Sequence, residues 1–456
     1  TAGDITTTND AITFSNDVTL TGNVALDTGA GAGTITFSDT LDATSAGTET
    51  LDLTAGTGNV VFTGAVGAST RLGDLTIVSA ADVTAASTIT ASAIDQQAGT
   101  GTTTFNGALN TNTASGIDLD GTAFAINATV TTTSDGVVTI TNAGALTIAA
   151  AGDMTLDGVF AQDGGGSVAT AGDITTTNDA ISFTNDVTLT GNVALSTGTG
   201  AGTITFSDTV DATSAGTETL DLTAGTGNVV FSAAVGGSTR LGDLTIVSAA
   251  DVTASSTITA SAIDQQAGTG TTTFNGALNT NTASGIDLDG TAFTINAAVT
   301  TTNDGVVSIT NAGVLTIVAA ADMTLDGAFT QSGGGGVSTA GDITTTGDVI
   351  SFTNVETLAG NVARATGAGA GTMSCSGTVD ATSAGTETLD LTAGTANVSF
   401  AAAVGASTRL GVLTIVSAAD VTASSTITAS AIDQQAGTGT TTFDGAINTN
   451  TASGID

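Results

Sequence analysis

The chain has 456 residues, of which 42 are acidic and four are basic, so its net charge is −38. It contains 61 Gly, 15 Phe and one Cys, and no Pro, Trp, Tyr, His or Lys. Nucleic-acid binding draws on clustered Lys and Arg, so this composition excludes a nucleic-acid-binding surface. Without His, neither Ser–His–Asp nor Cys–His catalysis nor a His metal site is available. No apolar run is long enough to span a membrane.

Short strands are predicted from the first residues onward. Apolar residues alternate at Ile12 and Phe14 and again at Val18 and Leu20. This period-two spacing places both members of a pair on one face of a strand. Later pairs are Val24 with Leu26, Ile35 with Phe37, Leu51 with Leu53, Leu75 with Ile77, Phe124 with Ile126, Leu146 with Ile148, and Met154 with Leu156. Gly, Asn, Asp, Ser and Thr separate the pairs and suit corners. The alanine-rich tract 79–93 also holds Thr, Ser and Val, which disfavour a helix.

A long repeat organises these strands. The segment AGDITTTNDAITF begins at Ala2 and returns, slightly altered, at Ala171 and Ala340, so the two offsets are equal (171 − 2 = 340 − 171 = 169). The spacing never slips, which predicts one continuous solenoid without linkers. Its copies are residues 1–169, 170–338 and a partial copy at 339–456. Because the chain begins and ends inside a repeat, we expect it to be a fragment of a longer protein.

The phenylalanines indicate a shorter period inside each copy. In the first copy and the start of the second, the gaps between successive Phe positions range from 19 to 43. Counting the gaps of 43 and 36 as two turns each gives eight turns per copy, or about 21 residues per turn. Short strands in turns of this length predict an all-β fold, a β-solenoid. Tandem β-sandwich domains with antiparallel strands are the alternative.

The general preference for right-handed crossovers favours a right-handed parallel β-helix. We expect its core to contain internal ladders of phenylalanine. The core residues predicted are Phe14, Phe37, Phe62, Phe183, Phe206 and Phe231. The single cysteine, Cys375, occupies the position of Phe37 and Phe206 in the earlier copies, so we expect a buried residue rather than a reactive thiol.

Two segments, GNVVFTGAVGASTRLGDLTIVSAADVTA from Gly58 and ALTIAAAGDMTLDG from Ala145, carry a family resemblance. The chain resembles very large bacterial β-strand-repeat exoproteins, a group that includes filamentous-haemagglutinin-like and autotransporter-type adhesins. The resemblance implies a right-handed parallel β-helix, export to the bacterial cell surface, and a role in adhesion, cell–cell contact or matrix. Its motifs are compositional and specify no chemistry.

Calcium is the one ligand for which the sequence offers candidate residues. Asp118 and Asp120 alternate in sequence before Gly121, and Asp287 and Asp289 repeat the arrangement. Calcium prefers carboxylate and carbonyl oxygens, and neutralisation would favour so acidic a chain. Solvated turn carboxylates are the competing interpretation, and no other cofactor is expected.

Other polar motifs are expected to be structural. The DQQ triplets, starting at Asp95 in the first copy, are predicted to be exposed or to lie at corners. The arginine of the recurring STRLG segment, Arg71 in the first copy, lies close in sequence to Asp74. This spacing suggests a surface ion pair, which contributes little to stability.

The functional hypothesis is a structural or adhesive segment of an extracellular fibre or surface protein, acting as a spacer or as a self-assembling filament. Its expected partners are further copies of itself, bound end to end or laterally, or glycans and proteins on host or neighbouring cell surfaces. We expect no enzymatic activity. A carbohydrate-binding or carbohydrate-cleaving β-helix is the alternative, since carboxylates alone can support glycoside chemistry.

Overall fold

A computed structural model describes all residues from Thr1 to Asp456. The protein is all-β and contains no helix. It divides into unit 1, Thr1–Ser232, and unit 2, Ala233–Asp456. Each unit is a β-solenoid: the chain winds in turns of about three short strands, and every strand pairs in parallel with strands of the neighbouring turns. Antiparallel sandwich domains, the alternative fold, are therefore excluded.

Unit 1 has three parallel sheets, A, B and C, one on each side of the coil. Sheet A contains Ile5–Thr6, Val24–Asp27, Leu51–Thr54, Leu75–Ser79, Ile94–Gln96, Ile117–Gly121, Val138–Asn142, Phe160–Gly164, Ile181–Phe183, Ile204–Phe206 and Val229–Phe231. Sheet B contains Ile12–Phe14, Ile35–Phe37, Val60–Phe62, Val83–Ala85, Thr102–Phe105, Ala123–Ile126, Leu146–Ile148, Val168–Thr170, Val187–Leu189 and Val210–Ala212. Sheet C contains Val18–Leu20, Leu41–Ala43, Ile89–Thr90, Leu109–Thr111, Val130–Thr132, Met154–Leu156, Ile174–Thr176, Val193–Ser196 and Leu220–Thr223, with Val66 bridging its second and third strands.

Unit 2 likewise has three sheets, D, E and F. Sheet D contains Leu241–Ser248, Ile286–Gly290, Val307–Asn311, Phe329–Gly333, Ile350–Phe352, Met373–Cys375, Val398–Phe400, Val421–Ala423 and Thr441–Phe443. Sheet E contains Val252–Ala254, Thr271–Phe274, Ala292–Ile295, Leu315–Ile317, Val337–Thr339, Glu356–Leu358, Val379–Ala381 and Ile447–Asn448. Sheet F contains Leu278–Thr280, Val299–Thr301, Met323–Leu325, Ile343–Thr345, Val362–Ala365, Leu389–Thr392 and Leu410–Ser417. Two longer strands pass through corners, Ile258–Gln265 from sheet F to D and Ile427–Gln434 from sheet E to F.

The strands form because their side chains alternate between the core and the surface. In Ile35–Phe37 the two apolar residues are buried and the central Thr36 faces outward. β-branched residues suit both positions, since they pack well on a pleated surface. The same inward, outward, inward pattern recurs in nearly every three-residue strand, so each turn adds a layer of aliphatic and phenyl side chains to the core.

Phenylalanines stack along the core, as their spacing suggests. The rings of Phe37 and Phe62 lie 5.4 Å apart and nearly parallel, and those of Phe183 and Phe206 are arranged likewise. Phe206 in turn stacks on Phe231, also at 5.4 Å. Offset stacking of this kind contributes about 0.5–1.5 kcal/mol beyond the area buried. Phe14 stacks on Phe37 but is only half-buried.

One corner depends on glycine in all three copies. Gly67, Gly236 and Gly405 adopt positive φ angles of 65° to 68°. A Cβ on Gly67 would lie 2.0 Å from the carbonyl oxygen of Thr90 in the next turn. Both the backbone conformation and the close approach of the next turn therefore require glycine.

The mean turn is longer than the sequence predicts. Measured between paired residues, the shortest turns resemble that from Leu75 to Ile94 (94 − 75 = 19), and the longest resemble that from Val24 to Leu51 (51 − 24 = 27). In sheet B, eight turns separate Ile12 from Val187 (187 − 12 = 175), so the mean turn length is about 22 residues rather than 21.

One repeat is consequently shorter than eight turns. The equivalent of Ile12 in the second copy is Ile181, yet Ile12 lies in sheet B and Ile181 lies in sheet A. The repeat thus winds through seven and two-thirds turns, and the prediction of eight was wrong. The reason is that Phe124 and Phe160 lie in different sheets, B and A, so the segment between them spans less than two full turns.

Candidate functional site

The most distinctive surface feature is an acidic groove that recurs with the repeat. In unit 1 it has a volume of ≈ 370 Å³, and Asp74, Asp95 and Asp118 from three successive turns line it. Asp95 and Asp118 are directly paired neighbours in sheet A. Neighbouring strands lie about 4.8 Å apart, so these carboxylates repel each other across the turns. No basic residue lines the groove.

Unit 2 contains the equivalent groove, with Asp243, Asp264 and Asp287 among its lining residues and a volume of ≈ 360 Å³. Partial burial raises the pKa of Asp287, and the negative charges of Asp289 and Asp264 raise it further, against a hydrogen bond from Ser308 that lowers it. Unit 2 also contains the third-copy version, where Val412 stands in place of the first aspartate, beside Asp433 and Asp456.

Of the predicted calcium residues, Asp118 and Asp287 line these grooves. Asp118 and Asp120 both project outward from the strand Ile117–Gly121, on either side of the buried Leu119. The Thr139 hydroxyl donates a hydrogen bond to Asp118. Asp287 and Asp289 occupy the same positions in Ile286–Gly290. No group of three or more acidic or cysteine side chains converges closely enough to hold a metal ion, so the calcium assignment stays a prediction.

The arginine of the STRLG segment does not pair with the neighbouring aspartate. The Arg71 guanidinium donates hydrogen bonds to the carbonyl oxygen of Ala91, one turn away, and to that of Asn110, two turns away, the latter at 3.0 Å. It therefore links three successive turns at a corner, and the predicted surface ion pair with Asp74 is wrong. Partial burial lowers the pKa of Arg71.

The other copies keep this arginine link. Arg240 donates to the carbonyl oxygens of Ala260 and Asn279, and Arg409 to those of Ala429 and Asn448. The available sequence signal was the return of an otherwise rare cation at one position of every copy.

The DQQ triplet also departs from its prediction. Asp95 and Gln97 face outward, where the Gln97 amide donates to the Asp95 carboxylate at 2.9 Å. Gln96 points into the core and is buried. Its side-chain carbonyl accepts a hydrogen bond from the Thr103 hydroxyl at 2.8 Å, which satisfies part of the buried amide. Strand alternation forces the middle residue inward.

A buried charged cluster distinguishes the third copy. Glu356 and Arg364 form an ion pair in the core of unit 2, where their side chains are 0% and 2% exposed. The guanidinium carbon of Arg364 lies 4.1 Å from the centre of the Phe352 ring, a cation–π geometry. An Arg364 nitrogen also contacts the Cys375 sulfur at 3.4 Å. Burial raises the pKa of the Cys375 thiol, which is typical of an unreactive cysteine.

The earlier copies explain how this cluster fits. The positions of Glu356, Arg364 and Cys375 hold Val187, Leu195 and Phe206 in the second copy, and Val18, Leu26 and Phe37 in the first. The substitution of Phe by Cys removes a ring and makes room for the guanidinium, which stacks on Phe352 where the missing ring would lie. Sequence comparison of the copies reveals the three substitutions, but not that they are in contact.

In comparisons with known proteins, no family model, curated protein or solved structure matches the chain. None of the chain forms a helix that could cross a membrane.

Proposed function

We propose that this chain is a structural or adhesive segment of an extracellular bacterial fibre or surface protein. The observation that supports the proposal most strongly is the uniform stacking of turns. Every turn pairs only with its neighbours through parallel ladders, and equivalent residues keep equivalent pairing partners in the first two copies. Such a structure gains length by adding turns, without a change in the core.

The surface supports the same proposal. A net charge of −38 keeps neighbouring molecules apart, and the exposed strand faces are rich in threonine and aspartate. Each turn adds about 4.8 Å, so a unit of ten turns spans roughly 50 Å along its own axis. Length that grows with each turn and a like-charged surface both suit a spacer or filament that holds an adhesive surface away from the cell.

The test is adhesion by the isolated chain. Beads coated with the protein are expected to bind bacterial cells, or glycoproteins of host cells, saturably, whereas beads coated with an unrelated protein of similar net charge are not. Electron microscopy of the same preparation shows whether the chains also assemble into filaments. Beads that adhere no better than the charge-matched control, together with a preparation that forms no filaments, would count against the proposal.

The acidic grooves favour a second candidate, a carbohydrate-binding or carbohydrate-cleaving β-helix. The groove of Asp95 and Asp118 offers paired carboxylates on an open surface, the residue type used by glycosidases. A glycan array and a cleavage assay on acidic and neutral polysaccharides test it. Loss of a saturable signal in Asp95→Asn/Asp118→Asn, with retention in Thr36→Asn on another sheet, would promote this candidate over the first.

A further inference from the structure

We infer that the buried charged cluster of the third copy contains an internal hydration site, in which ordered water joins Glu356 to Arg364 in the core of unit 2. The ligand is water itself. The first two copies have no equivalent site, because the corresponding positions hold apolar side chains. The inference concerns the core and is independent of the proposed function.

Two polar atoms of the ion pair have no hydrogen-bond partner in the protein. Arg364 contacts Glu356 Oε1 through one terminal nitrogen and the Cys375 sulfur through the other, but its Nε–H group donates to no protein atom. The second carboxylate oxygen, Glu356 Oε2, likewise accepts from none. Buried polar groups are rarely left unpaired, because the lost contact with water is then not replaced. Both atoms therefore call for a partner inside the core.

The two atoms are placed to share one water molecule. Oε2 is bonded to the same carboxyl carbon as the contacting Oε1, and Nε to the same guanidinium carbon as the contacting nitrogen, so both lie beside the contact between Glu356 and Arg364. Nε–H is a donor and the carboxylate oxygen is an acceptor. A water at this place accepts a hydrogen bond from Arg364 and donates one to Glu356, which satisfies both groups.

Thr366 supplies a third group for the site. It lies two residues beyond Arg364 on the same inward face, it is 0% exposed, and its hydroxyl has no partner. The equivalent hydroxyls of Thr28 and Thr197 each donate to a glycine carbonyl oxygen at 2.8 Å. Buried waters typically make about three hydrogen bonds to groups that are otherwise unsatisfied. The third copy alone thus leaves a hydroxyl for water next to the ion pair.

The three exchanges relative to the second copy also make room for water. Valine to glutamate at 356 and leucine to arginine at 364 change the side-chain volume little, whereas phenylalanine to cysteine at 375 removes most of a phenyl ring. The guanidinium covers the ring of Phe352, but only the thin aliphatic stem of Arg364 remains where the second copy has a branched leucine. The freed volume exceeds the roughly 30 Å³ that one water occupies, and a space lined by polar groups holds water.

The test counts long-lived internal waters in the full chain by magnetic relaxation dispersion of the solvent oxygen. Glu356→Val/Arg364→Leu/Cys375→Phe restores the apolar core of the second copy and is expected to lose about one or two such waters relative to the unmodified chain. Thr36→Ser, on the outward face of a strand in unit 1, is the control and is expected to lose none. Equal counts in the unmodified chain and the triple variant would overturn the inference.

Two further measurements locate the water. The reciprocal variant Val187→Glu/Leu195→Arg/Phe206→Cys builds the cluster in unit 1 and is expected to gain about one or two long-lived waters. A crystal structure of the unmodified chain is expected to show water within hydrogen-bond distance of both Oε2 and Nε. A folded reciprocal variant that gains no water would overturn the inference. So would a carboxylate whose two oxygens both accept directly from the guanidinium, with no water beside them.

Discussion

The buried pair Glu356–Arg364 allows the sharpest test of the core. Replacing Arg364 by the leucine of the earlier copies leaves Glu356, which is 0% exposed, without its cation. Removing one partner of a buried pair costs about 3–5 kcal/mol, because an uncompensated charge remains in the apolar interior. Arg364→Leu therefore destabilises the turns around it, although leucine is the residue found there in both other copies.

Restoring all three residues of the second copy is expected to have the opposite effect on stability. Glu356→Val/Arg364→Leu/Cys375→Phe rebuilds the core of the second copy, with a phenyl ring again stacked on Phe352. Replacing a buried ion pair by well-packed apolar residues is neutral or stabilises by about 1–4 kcal/mol. The double variant Glu356→Val/Arg364→Leu keeps Cys375. Its stability is expected to lie between that of Arg364→Leu and that of the triple variant, because the missing ring leaves a cavity.

The measurement must be local, because stacked turns can open independently of distant ones. Native-state hydrogen exchange of the amides in Ile350–Phe352 and Glu356–Leu358 reports the opening free energy of these turns. A matched control is Leu195→Arg, which places an unpaired arginine at the equivalent site and is expected to destabilise. Unchanged exchange in Arg364→Leu, or a triple variant no more stable than this single one, would refute the reasoning.

Three further predictions concern other parts of the molecule. Phe37→Asp buries an unpaired charge in the phenylalanine stack and is expected to lower the thermal midpoint clearly, whereas Thr36→Asp, on the outward face of the same strand, changes it little. Arg71→Gln removes hydrogen bonds to two later turns and is expected to destabilise by about 1–3 kcal/mol in chemical denaturation; a neutral effect would show that the link is dispensable. The Cys375 thiol is buried and its pKa is raised, so a thiol reagent at mildly alkaline pH should label the native protein far more slowly than the denatured one, and equal rates would contradict its burial.

Much of the fold follows from local pattern. Pairs such as Ile35 and Phe37 alternate with polar residues, so the strand, its inward face and the ring stacking on Phe62 are all predictable from spacing. Contacts that depend on which strands become neighbours are harder to predict from the sequence. Arg71, for example, finds its acceptors one and two turns away.

The sequence by itself determined the all-β class, the stacked turns and the period of the long repeat, because these depend on alternation and repetition within the chain. Only the tertiary structure decided how many turns of the coil one long repeat makes. Turns such as Leu75 to Ile94 and Val24 to Leu51 differ in the length of their corners, and these differences accumulate into a count of seven and two-thirds. The contact of Glu356, Arg364 and Cys375 was decided in the same way, since three sheets must meet before these substitutions, separated along the chain, face one another.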